Sequence, residues 1–253
     1  MPQRLVGAGQ HLARGLLDQL YPPACLICAE PTATHDTLCG ACFVQLRPIT
    51  APLCPVLGVP FAVSPGEGAL SPEAIADPPP FARSRAAVIY NDQAALLVSR
   101  LKYGDRPELA RFCARLMASA GHEFWANAPI LVPVPLHPMR QFQRRYNQSL
   151  ELARALSKLT GLKLDPYLVR RVKRTRQQVG LSAEGRDRNM AGAFAANADA
   201  ALRSKGKSVV LIDDVFTTGA TVKAATRALK RGGIDQIEVL SFARVVSGEQ
   251  IPI

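Results

Sequence analysis

Residues Val209 to Thr221 read Val-Val-Leu-Ile-Asp-Asp-Val-Phe-Thr-Thr-Gly-Ala-Thr, and a helical pattern continues from Ala220 to Arg231. An unbroken apolar run of this length suits a strand buried on both faces, which is the parallel case. The first polar residues after such a strand emerge at the carboxyl edge of the sheet, where open α/β folds bind ligands. Asp213 and Asp214 stand there. The chain is therefore restricted to an α/β architecture with a strand, a tight loop and a helix N-terminus at its binding edge.

The loop Thr217-Thr218-Gly219-Ala220-Thr221 offers backbone N–H groups, three hydroxyls and one residue without a Cβ, so an anion can approach the backbone closely. The helix dipole adds about half a positive charge there. Two carboxylates beside a phosphate cup would repel the phosphate itself. Their natural partners are sugar hydroxyls and a divalent cation carried by the same ligand. The ligand implied is a phosphorylated ribose; the alternative is an ordinary βα turn in which Asp213 or Asp214 only caps the helix.

The whole string resembles the 5-phosphoribosyl-1-pyrophosphate (PRPP) signature of the type I phosphoribosyltransferases. That resemblance implies that Asp213 and Asp214 hold the ribose 2′- and 3′-hydroxyls, that Thr217, Thr218, Gly219, Ala220 and Thr221 hold the 5′-phosphate, and that Mg²⁺ accompanies the ligand.

With 253 residues and 48% hydrophobic content, the chain has room for one α/β domain and a smaller unit. No apolar stretch reaches the roughly 20 residues of a membrane span, and the N-terminus, with Gln10, His11, Arg14 and Asp18 between its leucines, is too polar for a signal peptide. Membrane insertion is not expected, and a cytoplasmic location is. In that reducing compartment, Cys25-x2-Cys28-x10-Cys39-x2-Cys42 points to metal rather than disulfides. Two such knuckles can place four thiolates about 2.3 Å from one structural zinc. A redox pair is the competing reading, and neither Cys-x-x-Cys sits in a thioredoxin-like strand-helix context.

Along the chain, residues 1–58 read as an N-terminal helix (Leu5 to Leu20) and zinc ribbon, 59–84 as a Pro-rich linker, and 85–253 as the α/β domain. Strands are expected at Ala86–Tyr90, Ile130–Val132, Leu162–Val172, Ala191–Ala195 and Ile237–Val246; helices are expected at Asp92–Lys102, Pro107–Ala120 and Gln148–Leu159. Lys173 to Asn189 reads as a loop that moves. No internal repeat is evident. Net charge is +11, and between His137 and Met190 there are 13 Lys or Arg against 4 acids. Such a basic face attracts anions in general, and a phosphate-rich partner in particular.

Several islands narrow the resemblance: Leu101-Lys102-Tyr103-Gly104-Asp105, Val132-Pro133-Val134-Pro135-Leu136-His137-Pro138, Asn147-Gln148-Ser149, Leu181-Ser182 and Arg188-Asn189. Behind a cysteine-knuckle ribbon they are similar to the ComF family of competence-associated proteins. The resemblance implies a type I phosphoribosyltransferase-like parallel sheet flanked by helices, a PRPP pocket, and contact with single-stranded DNA or with replication or recombination proteins during natural transformation. Arg140 is the expected partner of the pyrophosphate. Arg144, Arg145, Lys173, Arg174, Arg176, Arg186 and Arg188 are the expected nucleic-acid contacts.

Three departures from the family pattern stand out. Leu57 occupies the place of a cysteine in Cys54-Pro55-Val56-Leu57-Gly58, so a second zinc is not expected. Arg145-Tyr146-Asn147-Gln148 lacks the family's glycine. Thr217 replaces the Asp that purine-salvaging relatives carry, and a hydroxyl has no useful pKa for taking a proton from a base nitrogen. Two readings follow: a DNA-handling adaptor that binds PRPP, or a transferase moving ribose 5-phosphate to an unspecified nitrogen acceptor, with catalytic residues unassigned.

Overall fold

Strands and helices alternate along the chain as a parallel sheet requires. The computed structural model describes residues 19, 21–103, 107–136, 147–173, 185 and 190–246. The backbone divides into two compact units, Met1–Gln45 and Leu46–Ile253. In the first, a tight knuckle bridged at Ala24 and Pro31 precedes helix α1 (Gly40–Gln45). The expected helix from Leu5 to Leu20 falls almost wholly outside the described residues.

The second unit opens with helix α2 (Pro72–Ala76), strand β1 (Ser84–Ile89), and helices α3 (Asp92–Tyr103) and α4 (Pro107–Ala120). Strand β2 (Ile130–Pro133) stops where proline can no longer donate to a ladder. Helix α5 (Gln148–Thr160) is bounded by local chemistry: Asn147 Oδ1 accepts the Leu150 N–H, and Gly161 takes φ 73° at the C-cap. Strands β3 (Val169–Arg171) and β4 (Phe194–Ala196) pair antiparallel, and helix α6 (Ala198–Arg203) follows. Strand β5 (Val209–Phe216), helix α7 (Ala220–Arg231) and strand β6 (Ile237–Arg244) complete the domain.

The main sheet is parallel with order β1-β6-β5-β2. Its central strand β5 is buried as predicted, with Val209 to Ile212 fully inaccessible. Alternate residues serve opposite faces: Val209 and Leu211 join Ile130, Val132, Ile237 and Val239 in a core shared with α7 and the β3-β4 pair. Helices α4 and α5 pack against one another, α4 also against β1 and β6, and α5 against β2 and β5.

Two expectations change. The strand foreseen over Leu162–Val172 shrinks to β3, with Leu164 making a lone bridge to Leu131, because Pro166 interrupts the run and Asp165 Oδ1 accepts the Tyr167 N–H in a turn. The Pro-rich stretch foreseen as a linker carries α2, started by Pro72 and capped by Ser71, and it buries Val59, Ala74 and Phe81 in the same core as β5. Proline at the first helical position favours a helix rather than breaking one.

Candidate functional site

Asp213 sits near the carboxyl end of β5, paired in register with Ser241 of β6, and is 9% exposed. Its Oδ1 accepts hydrogen bonds from the Ser149 hydroxyl and the Asp214 N–H, both at 3.0 Å. Burial, and then the neighbouring Asp214 charge, push its carboxyl up to about 8. A cation or sugar hydroxyls placed against the pair would relieve that conflict. Asp214 is half-buried and its Oδ1 accepts the Val215 N–H at 2.8 Å.

The chain then turns through exposed Thr217 and half-buried Thr218 into Gly219, which caps α7 with φ 76°. A Cβ on Gly219 would stand 2.6 Å from Phe216 Cζ, so both the dihedral and the close approach require glycine. The first intrahelical bond runs from the Lys223 N–H to the Gly219 carbonyl. A helix start leaves its first amides without a carbonyl one turn back, and here the amide of Ala220 donates to Thr218 Oγ1. A glycine-turned loop leading into a helix N-terminus is an arrangement that can accept an anion.

The structure brings together Asp213, Asp214 and Thr217 to Thr221 as one strand-loop-helix unit. Lys173 lies exposed just beyond β3. Arg140, Arg144, Arg145, Arg174, Arg176, Arg186 and Arg188 lie outside the described residues. Two neighbours of the acidic pair were not assigned a role from sequence. Ser149, in the first turn of α5, reaches Asp213 across 64 residues of chain. Tyr90 follows β1 at the same sheet edge, and burial, then the Asp214 charge, push its phenol up. Only the island Asn147-Gln148-Ser149 hinted at the first; nothing in the sequence marked the second.

In the first unit, the sulfur atoms of Cys25, Cys28, Cys39 and Cys42 all lie within 4.8 Å of one another. Burial opposes ionisation of Cys25, but the N–H groups of Cys28, Cys39 and Ile27 outweigh it and bring the thiol down to about 6. Burial and then the neighbouring thiols hold Cys42 up. Four crowded sulfurs cannot all ionise without a cation, and a tetrahedral zinc with bonds of about 2.3 Å fits this donor set.

The second unit repeats this ribbon pattern, although the sequence displays no repeat. Cys25 donates its N–H to Glu30 and accepts from Ala29; Cys54 likewise donates to Val59 and accepts from Gly58. Bridges Ala24–Pro31 and Leu53–Pro60 correspond, as do the left-handed Ala29 (φ 65°) and Gly58 (φ 64°). Cys39 accepts from the Phe43 N–H at the start of α1, and Ser71 accepts from the Ile75 N–H at the start of α2. The four ligand places are thus filled by Cys54, Leu57, Ser71 and Ala74, all buried. One thiol among apolar and hydroxyl side chains does not make a zinc site.

The double zinc ribbon domain family matches residues 16–75, and the phosphoribosyl transferase domain family matches residues 100–250. DNA utilization protein YhgH of Salmonella typhimurium is 32% identical over 231 residues, which cover 89% of this chain and 98% of that protein. Competence protein F of Haemophilus influenzae is 34% identical over 61% of this chain and 69% of its own length. Competence protein ComFC of Bacillus subtilis is 26% identical over 78% of this chain and 80% of its own. With a ribbon of four clustered cysteines, a parallel sheet whose β5 carries the acidic pair, and relatives matching over 61% to 89% of its length, the chain belongs to the ComF family of phosphoribosyltransferase-like proteins.

Proposed function

We propose that the protein is a competence or DNA-utilisation factor that binds Mg²⁺-PRPP and single-stranded DNA, working with replication or recombination proteins in the cytoplasm. Asp213 and Asp214 take the ribose hydroxyls and share the cation. Thr217 to Thr221 take the 5′-phosphate, and Arg140 meets the pyrophosphate. Arg144, Arg145, Lys173, Arg174, Arg176, Arg186 and Arg188 contact the DNA backbone. The observation that carries the reading is the buried Asp213 carboxyl beside a glycine-turned helix N-terminus on the same strand-loop unit. An acid so placed in an empty core would cost free energy with no return, and a liganded one is neutralised by its partner. The names of the relatives support the DNA-handling half of the proposal.

Binding is favoured over phosphoribosyl transfer because Thr217, exposed at the mouth of the loop, offers no base for an acceptor nitrogen. Calorimetric titration with Mg²⁺-PRPP is the decisive measurement. The unmodified protein should bind one equivalent, and the double variant Asp213→Ala, Asp214→Ala should not. No heat from the unmodified protein would end the PRPP reading. Pyrophosphate release over a panel of bases and amines should stay at background, and release with any acceptor would make the protein a transferase.

A further inference from the structure

We propose that the metal-free second ribbon lobe, residues 54–77, is part of the phosphate-loop machinery, and that Arg244 is the positioning residue that couples the two. The role assigned to the loop rests on the PRPP reading above.

Arg244 ends β6 and is 5% exposed. Its Nη1 donates to the Leu57 carbonyl at 2.6 Å, and its guanidinium lies 4.2 Å from the centre of the Phe216 ring. Its Nε is buried without a hydrogen-bond partner among the described residues. A buried cation is costly, and an apolar side chain of similar size would pack here with less penalty. What the cation provides is an attachment between two distant pieces of chain. Phe216 is the last residue of β5 before the loop, and its ring fills the space where a Gly219 Cβ would stand. The left-handed turn of the loop therefore rests on a ring that Arg244 holds from the lobe, and Phe81 meets the same ring edge-on at 6.3 Å.

A second tie lies just beyond the loop. Lys223, in the first turn of α7 and 6% exposed, donates through Nζ to Asp77 Oδ2 at 2.5 Å. Asp77 is the C-cap of α2, so the lobe grips the chain on both sides of Thr217–Thr221. Apolar packing joins the same parts: Cys54, Leu57 and Ala74 share a core with Phe216, Ala220 and Val222.

The lobe is suited to this role without metal. Cys54 Sγ accepts the Leu57 N–H at 3.4 Å and the Ser71 N–H at 3.3 Å, in place of a shared ion. The knuckle is tied to β1 by Ser84, whose Oγ donates to the Leu57 carbonyl and whose N–H donates to the Val56 carbonyl. Gly58 permits that approach, since a Cβ there would lie 2.4 Å from the Ser84 carbonyl oxygen. The places that correspond to the four cysteines of the first ribbon form here a packed plug that orients a carbonyl toward Arg244.

The test uses the full-length protein and the variants Arg244→Met and Arg244→Gln, the latter keeping an amide donor if the former does not fold. Hydrogen exchange of the amides of residues 217–221 is followed without ligand, together with unfolding temperature and zinc content. Exchange at the loop should quicken by about tenfold, the loss attached to one buried charge-assisted hydrogen bond, while β5 and α4 keep their protection and zinc content is unchanged. Mg²⁺-PRPP affinity should fall by a similar factor. Exchange and affinity equal to those of the unmodified protein would overturn the proposal, and so would faster exchange spread evenly over the domain. If the loop loosens but the unmodified protein never binds PRPP, the positioning role stands and the ligand reading fails.

Discussion

A carboxyl group that is nearly inaccessible and adjoins a second acid is held neutral more readily than ionised, and Asp213 has that setting. Because its folded value is raised above the ordinary carboxylate range, the stability linked to it is fully present below about pH 4 and is lost as pH rises through about 8. Asp213→Asn should therefore raise the melting temperature of the unliganded protein at pH 8 by about 5 °C, and by much less at pH 5. Equal shifts at both pH values in thermal melts would contradict this. Gly219→Ala should act in the opposite direction, costing about 1–3 kcal/mol in urea unfolding, since it adds a strained dihedral and a contact with Phe216. At this scale the acidic pair, the hydroxyls and the glycine were legible because they are consecutive in the chain. Ser149, Tyr90 and Arg244 were not, since their meaning comes from partners far away in sequence.

Helices α4, α5 and α7 begin and end within a residue of their expected bounds, because caps and apolar spacing are local properties. The two ribbon lobes are different. The first has four thiols, whereas the second has one, so the shared hydrogen-bond pattern does not require the cysteine signature. Metal analysis should accordingly return about one zinc per chain, and two would refute the assignment of Leu57, Ser71 and Ala74. Cys42→Ser should release that zinc, while Cys54→Ser should leave zinc content unchanged. Acidification should also release it, because protons compete for the thiolates, and a zinc-sensitive dye would follow the loss as pH falls.

For the whole molecule, a net charge of +11 and the basic segment between β2 and β5 set the behaviour toward polyanions. Binding of a single-stranded oligonucleotide should weaken as salt rises, with a log–log slope of about −3.5 to −5 if about five to seven phosphates are neutralised. Each Lys or Arg replaced by Ala among Arg144, Arg145, Lys173, Arg174, Arg176, Arg186 and Arg188 should flatten that slope by about 0.7. A slope near zero in fluorescence anisotropy would remove the DNA contact from the proposal. Among the described residues no helix is long and apolar enough to cross a membrane. By itself the sequence determined the parallel α/β class, the order of strand, glycine-turned loop and helix, and the four-thiol knuckle, since each is written in residues that are neighbours or nearly so. Only the tertiary structure decided that Asp213 is buried, that a stretch rich in proline is a second ribbon lobe, and that an arginine at the end of the last strand braces the loop. Burial and long-range contact depend on what the rest of the chain packs against a residue, and that is settled only when the sheet and its layers assemble.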